Sequence, residues 1–123
     1  MILGIGIDVV KVERLRPWTG QPGMLERFFH EAEIAKCRAA GEAGLLSLAA
    51  RFAAKEAFGK ALGSGLAGFA LREVQVVNDG AGKPGFVLHG GARRRFEQAG
   101  GRSLFLSLTH EDDYAMAMVV MEG

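Results

Sequence analysis

Cysteine is almost absent: Cys37 is the only one in 123 residues. A lone cysteine excludes an internal disulfide framework and suits a reducing compartment, so a cytoplasmic location is expected. With Cys37 and only three histidines (His30, His89 and His110), a Cys/His zinc site is not expected either. An excess of charge of one sign is also missing. Fifteen Lys and Arg against fourteen Asp and Glu leave a net +1, which gives no general case for binding nucleic acid or a membrane surface. No apolar run reaches the length of about 18 residues that a membrane-spanning helix needs. No basic segment precedes the first apolar stretch, and Asp8 interrupts it, so no signal peptide is expected. Repeats and low-complexity tracts are absent.

What remains is an ordinary globular composition, 49% hydrophobic and 24% charged, enough for one domain over residues 1–123 with one modest core. Eighteen scattered glycines imply many tight turns. The stretch "GIGIDVV" sits in an apolar run, residues 2–10, that reads as a buried strand. Side chains alternate with period two. Leu3, Ile5, Ile7 and Val9 then share one face, and Gly4, Gly6 and Asp8 share the other. The glycines are expected to clear space beside the carboxylate, since glycine inside a strand often marks close approach of a ligand or another backbone. Asp8 has two readings: a carboxylate capping a turn, or a metal ligand or acid/base. A buried charge is tolerated when it is paired or binds metal.

Residues 24–40 carry apolar positions at roughly helical spacing, and Gly41 and Gly44 break the pattern. The longest helical signal is "LLSLAARFAAKEAFGKALGSGLAG", residues 45–68, rich in Ala and Leu, with Gly63, Ser64 and Gly65 as its stop. It is apolar nearly all round and therefore expected to be buried. Leu46, Ala50, Ala53, Ala57 and Ala61 form a small-residue stripe. Arg51 and Lys55 share one face, Glu56 and Lys60 another. The latter two fit an exposed i,i+4 pair worth about 0.3–0.5 kcal/mol. They also fit a buried constellation in which Glu56 and Asp8 share a divalent cation while Lys60 meets phosphate. "GKALGSG" is not a phosphate loop, because Lys60 precedes Ala61 inside the helix.

Residues 71–78 and 85–88 read as strands across the turn "NDGAGKPG", 91–99 as a short helix, and "RSLFLSLTH" and "YAMAMVVME" as a hairpin around "EDD". His110 ends the first of these at the loop and is open to a structural or a catalytic reading. The basic runs Arg93–Arg95 and Lys11/Arg14/Arg16 are solvated faces or a surface for an acidic partner. The element order predicts an α+β fold with an antiparallel sheet.

Four segments together, "GIGIDVVKVERL", "RFAAKEAFGKALGSG", "GKP" and "SLTHEDDYAMAMVVME", resemble the holo-[acyl-carrier-protein] synthases, the short bacterial class of 4′-phosphopantetheinyl transferases. The resemblance spans nearly the whole chain; it is weakest over 11–44 beyond "ERL". It implies transfer of 4′-phosphopantetheine from coenzyme A to a serine of apo acyl carrier protein, for fatty acid or polyketide synthesis. It also implies a small antiparallel sheet wrapped around a long helix, and a homotrimer with active sites at its interfaces. Carried over residue by residue, it makes Asp8 and Glu56 the Mg²⁺ ligands and places Lys60 at the pyrophosphate. Gly63, Thr109 and His110 fall near the coenzyme, and Arg14, on a first helix, meets the carrier protein. Thr109 stands where many relatives have serine. A non-catalytic coenzyme A-binding module is the alternative.

Overall fold

The computed structural model describes residues 1–123. The chain opens with strand β1 (Ile2–Lys11), turns through a short 3-10 segment (Val12–Leu15), and continues through helices α1 (Arg16–Thr19), α2 (Met24–Phe28) and α3 (Glu31–Ala39). The long helix α4 (Glu42–Leu62) follows. A second 3-10 turn (Leu71–Glu73) leads into β2 (Val74–Asn78) and β3 (Pro84–Leu88), then α5 (Gly90–Gln98), β4 (Ser103–Glu111) and β5 (Tyr114–Glu122). The three-stranded antiparallel sheet has the order β1-β5-β4, and β2 and β3 form a separate antiparallel ribbon. The α+β expectation holds, and no helix is long and apolar enough to cross a membrane.

Helix α4 is the axis of the fold. Ala49, Ala53, Ala54, Ala57 and Phe58 on it are fully buried. Its small residues let β1 and β5 come close, with Val10, Ala115, Ala117 and Val119 packed inward. The helix ends at Gly63, which adopts φ +79° and returns its N–H to the Lys60 carbonyl, as a left-handed glycine cap does. Two boundaries differ from expectation. Residues 24–40 form two helices, because Phe29 is extended and His30 caps α3, its side chain accepting from Ala32 N. Gly44 lies inside α4 and does not break it. A Cβ there would sit 2.0 Å from the Cys37 carbonyl oxygen, so glycine is needed for α3 and α4 to touch.

Strand β1, expected to be buried, is buried on one face only. Leu3, Ile5, Ile7 and Val9 are 42%, 57%, 64% and 56% exposed in the single chain, whereas Gly6 and Val10 are buried. The glycines decide this. A Cβ on Gly4 would lie 1.9 Å from the Ala61 carbonyl oxygen and one on Gly6 1.8 Å from that of Ala57. They let the strand backbone lie against α4, and they do not clear space for a ligand. The apolar alternate face, continued by Met118 and Phe105, is left uncovered.

Arg51 and Lys55, on their separate face of α4, bind a carboxylate that the sequence pattern does not single out. Glu33 of α3 is 1% exposed. It accepts from Lys55 Nζ at 2.7 Å, from Val76 N at 3.0 Å and from His30 N at 2.9 Å, with Arg51 Nη1 at 3.5 Å. Lys55 spends its other two protons on the carbonyls of Leu71 and Val74. Every hydrogen-bonding group of the ammonium is satisfied, which a buried charge requires. The network fastens the β2–β3 ribbon and α3 to the axis.

Candidate functional site

Where β1 crosses α4, the inward period of the strand brings Asp8 beside Lys60 of the helix. Lys60 Nζ donates to Asp8 Oδ1 at 3.1 Å and to the Ile7 carbonyl at 2.8 Å. The Asp8 side chain is 19% exposed and that of Lys60 55%. The i,i+4 pair does not form: Lys60 reaches across to the strand and leaves Glu56 without a salt bridge. Glu56 is half-buried. Burial first, then the negative charge of Asp8, pushes its carboxyl above the ordinary value, against the opposing pull of Arg14 and Lys60. Two carboxylates thus repel each other where β1 crosses α4, partly desolvated.

Such a pair fits a hard divalent cation. Carboxylate oxygens are its preferred donors, and Mg²⁺ is commonly held by one or two of them with water and phosphate completing the shell. No third acidic, histidine or cysteine side chain joins them in a metal-binding group, so the remaining donors would come from solvent or a ligand. An ammonium has three protons. Lys60 uses two on Asp8 and Ile7, and the third is free to meet an anion.

Arg14 lies in the 3-10 segment and not on a helix. It is exposed, rests its guanidinium 5.5 Å over the Phe52 ring, and contributes positive charge at Glu56. Gly63 follows Lys60 by less than one turn and opens an exposed glycine-rich turn.

His110 and Thr109 are elsewhere. Leu108 is in register with Asp8 through Ala117 of β5. His110 is two residues further along a strand two places away, so about 12 Å separates the two backbones. His110 is exposed at a shallow groove of about 250 Å³ formed with Leu46, Ser47 and Ala50 near the start of α4. Within one chain, then, the expected site residues fall into two groups: Asp8, Glu56, Lys60 and Arg14 with Gly63 adjoining, and Thr109 with His110.

A family model described as the 4′-phosphopantetheinyl transferase superfamily matches residues 4–119. The holo-[acyl-carrier-protein] synthase of Treponema denticola is 50% identical over 123 residues, covering 100% of both chains. Among solved structures, the holo-[acyl-carrier-protein] synthase of Neisseria meningitidis superposes with a TM-score of 0.90 at 34% identity, over 100% of both chains. That of Bacillus anthracis, solved in complex with CoA (3′,5′-ADP), gives 0.82 at 32% identity, over 100% of this chain and 98% of that one.

Proposed function

The chain belongs to the 4′-phosphopantetheinyl transferase superfamily, and from that premise we propose that it is a single transferase domain that moves 4′-phosphopantetheine from coenzyme A to a serine of apo acyl carrier protein. The observation that carries the reading is the Asp8–Lys60 pair beside Glu56, an acidic pair and a free ammonium proton at one place on the surface.

Asp8 and Glu56 would hold Mg²⁺, whose chemistry is to neutralise pyrophosphate oxygens and polarise the phosphorus under attack. Lys60 donates a hydrogen bond from its free N–H to a pyrophosphate oxygen and balances the charge that grows on the departing adenosine 3′,5′-bisphosphate. Positive groups placed where charge develops are the main source of rate in such transfers. The serine oxygen forms its bond to the pantetheine-side phosphorus as the bond to the bisphosphate breaks. A carboxylate or a water at the site takes the serine proton as the bond forms. Arg14, exposed at the rim, meets acidic side chains of the carrier protein.

The active assembly is a homotrimer with sites at its interfaces. Two observations support this. Ile5, Ile7, Val9, Phe105 and Met118 form an apolar face more than 40% exposed at each residue, of the kind that marks an interaction surface. His110 and Thr109 also stand apart from the Asp8–Lys60 pair within one chain, at a different groove. In the trimer they bind the coenzyme from the adjoining copy. Mixing tests this. Asp8→Ala and His110→Ala, each inactive alone, should regain activity after joint refolding, because some interfaces then pair two intact halves. No regain, with trimers observed by sedimentation, places both groups in one chain's site and rejects the shared one.

A further inference from the structure

Of the run Arg93–Arg95, only part is a solvated face. Arg93 pairs with Glu97 on the surface. Arg95 turns inward to the segment 63–69 that follows Lys60. Its stem would touch a Cβ on Gly68 at 3.2 Å, and its Nη2 donates to Ser64 Oγ. Its Nε–H is the one buried side-chain nitrogen or oxygen in the chain with no hydrogen-bond partner.

The turn it grips is rich in glycine. Gly63, Gly65 and Gly68 take φ of +79°, +66° and +88°. Residues 64–69 are exposed or half-buried and belong to no helix or strand. The segment is seated by close approach and by Phe69, which packs edge-on to Phe58: a Cβ on Gly59 would meet Gly65 O at 3.2 Å, and one on Gly91 would meet Gly68 O at 2.6 Å. The Arg95–Ser64 bond is the only side-chain hydrogen bond to residues 63–69. Leucine or methionine would cover Gly68 without stranding a donor, and a buried unpaired donor is costly. Packing alone does not account for an arginine here.

We infer that Arg95 is a positioning residue for coenzyme A: through Ser64 it fixes the turn after Lys60 in the place where the coenzyme is bound. The inference rests on the placement of Lys60 and Gly63 at the coenzyme given above. The test is steady-state kinetics of Arg95→Leu, Ser64→Ala, the double variant and Arg95→Lys, with coenzyme A and apo carrier protein varied in turn. Each of the first two should raise the KM for coenzyme A about tenfold, the worth of one charge-assisted hydrogen bond. The kcat and the carrier-protein KM should stay within about twofold. The double variant should be no worse than either single, since both remove one bond. Arg95→Lys, which can still donate to Ser64, should recover part of the loss. The melting temperature of Arg95→Leu should hold or rise, as an unpaired buried donor is removed. An unchanged coenzyme A KM in Ser64→Ala, or additive losses in the double variant, overturns the inference. So does a loss in Arg95→Leu that merely follows its folded fraction. If the unaltered protein neither binds coenzyme A by calorimetry nor transfers from it, the underlying reading fails. If it binds and the variants bind equally, only the role of Arg95 fails.

Discussion

Replacing Gly6 with alanine puts a methyl carbon 1.8 Å from the Ala57 carbonyl oxygen. An ordinary carbon–oxygen contact is about 3.4 Å, so β1 and α4 must part by about 1.5 Å. Both clashing partners are backbone, and no rotamer change relieves them. Overpacking of this kind costs about 1–3 kcal/mol, and a rigid strand–helix contact belongs at the upper end. For a chain of this length about 3 kcal/mol corresponds to a melting temperature lower by about 10–15 °C. The same strand carries Asp8 and the Ile7 carbonyl, both partners of Lys60. Its displacement should therefore reduce phosphopantetheine transfer about a hundredfold. Circular-dichroism melting and a transfer assay on the same sample read the two effects. A Gly6→Ala variant that melts with the unaltered protein refutes the close-packing account. If it also loses activity, the glycine serves the ligand instead.

Other consequences follow from the charged groups. Glu33→Gln removes the partner of Lys55 and Arg51 while leaving both cations buried, and breaking a buried pair costs about 3–5 kcal/mol. Urea unfolding should show a loss of that size, and a loss under 1 kcal/mol would contradict it. Burial pushes Lys55 down to about 8. Between there and its unfolded value of about 10.5 the unfolded chain binds more protons, so stability should rise with pH across that window. Glu33 keeps Arg51 and Val76 N as partners when Lys55 is neutral. The rise should be absent in Lys55→Met; an equal slope in both proteins contradicts the assignment. Carboxyl NMR should find Glu56 titrating above an ordinary glutamate, and lower in Asp8→Asn, which removes the like charge. Because its folded value is the higher one, Glu56 itself reduces stability as pH rises from its unfolded value through its folded value. No change on Asp8→Asn would mean that the two carboxylates do not sense each other.

Much of the fold is written locally. The Ala- and Leu-rich run, its glycine stop and the alternating terminal strands mark α4, β1, β4 and β5 within a few residues. Period two also fixes which β1 side chains share a face, and it puts Asp8 with the glycines. It does not say which face meets the helix. Ile5, Ile7 and Val9 look like core because apolar side chains usually pack inward, yet two missing Cβ atoms let Gly4 and Gly6 take that place. Gly44 misleads for the same reason: a helix-breaking residue is retained where two backbones must touch. The Glu33–Lys55 network is invisible in the sequence because its members are 22 residues apart and only packing joins them. Of the candidate site, Asp8, Glu56 and Lys60 were legible as charges in apolar surroundings. Their separation from His110 was not, since it depends on strand order, and Arg95 looked like any surface arginine until its partner in the turn was known.

The most direct test is intact mass spectrometry of an apo acyl carrier protein incubated with this protein, coenzyme A and Mg²⁺, with parallel reactions containing EDTA or Lys60→Ala. The account predicts a mass gain of one phosphopantetheine per carrier protein, abolished by EDTA and strongly slowed by Lys60→Ala. A folded protein that binds coenzyme A and yields no gain contradicts transfer and leaves a binding module. A full gain in the presence of EDTA contradicts the role given to Asp8 and Glu56.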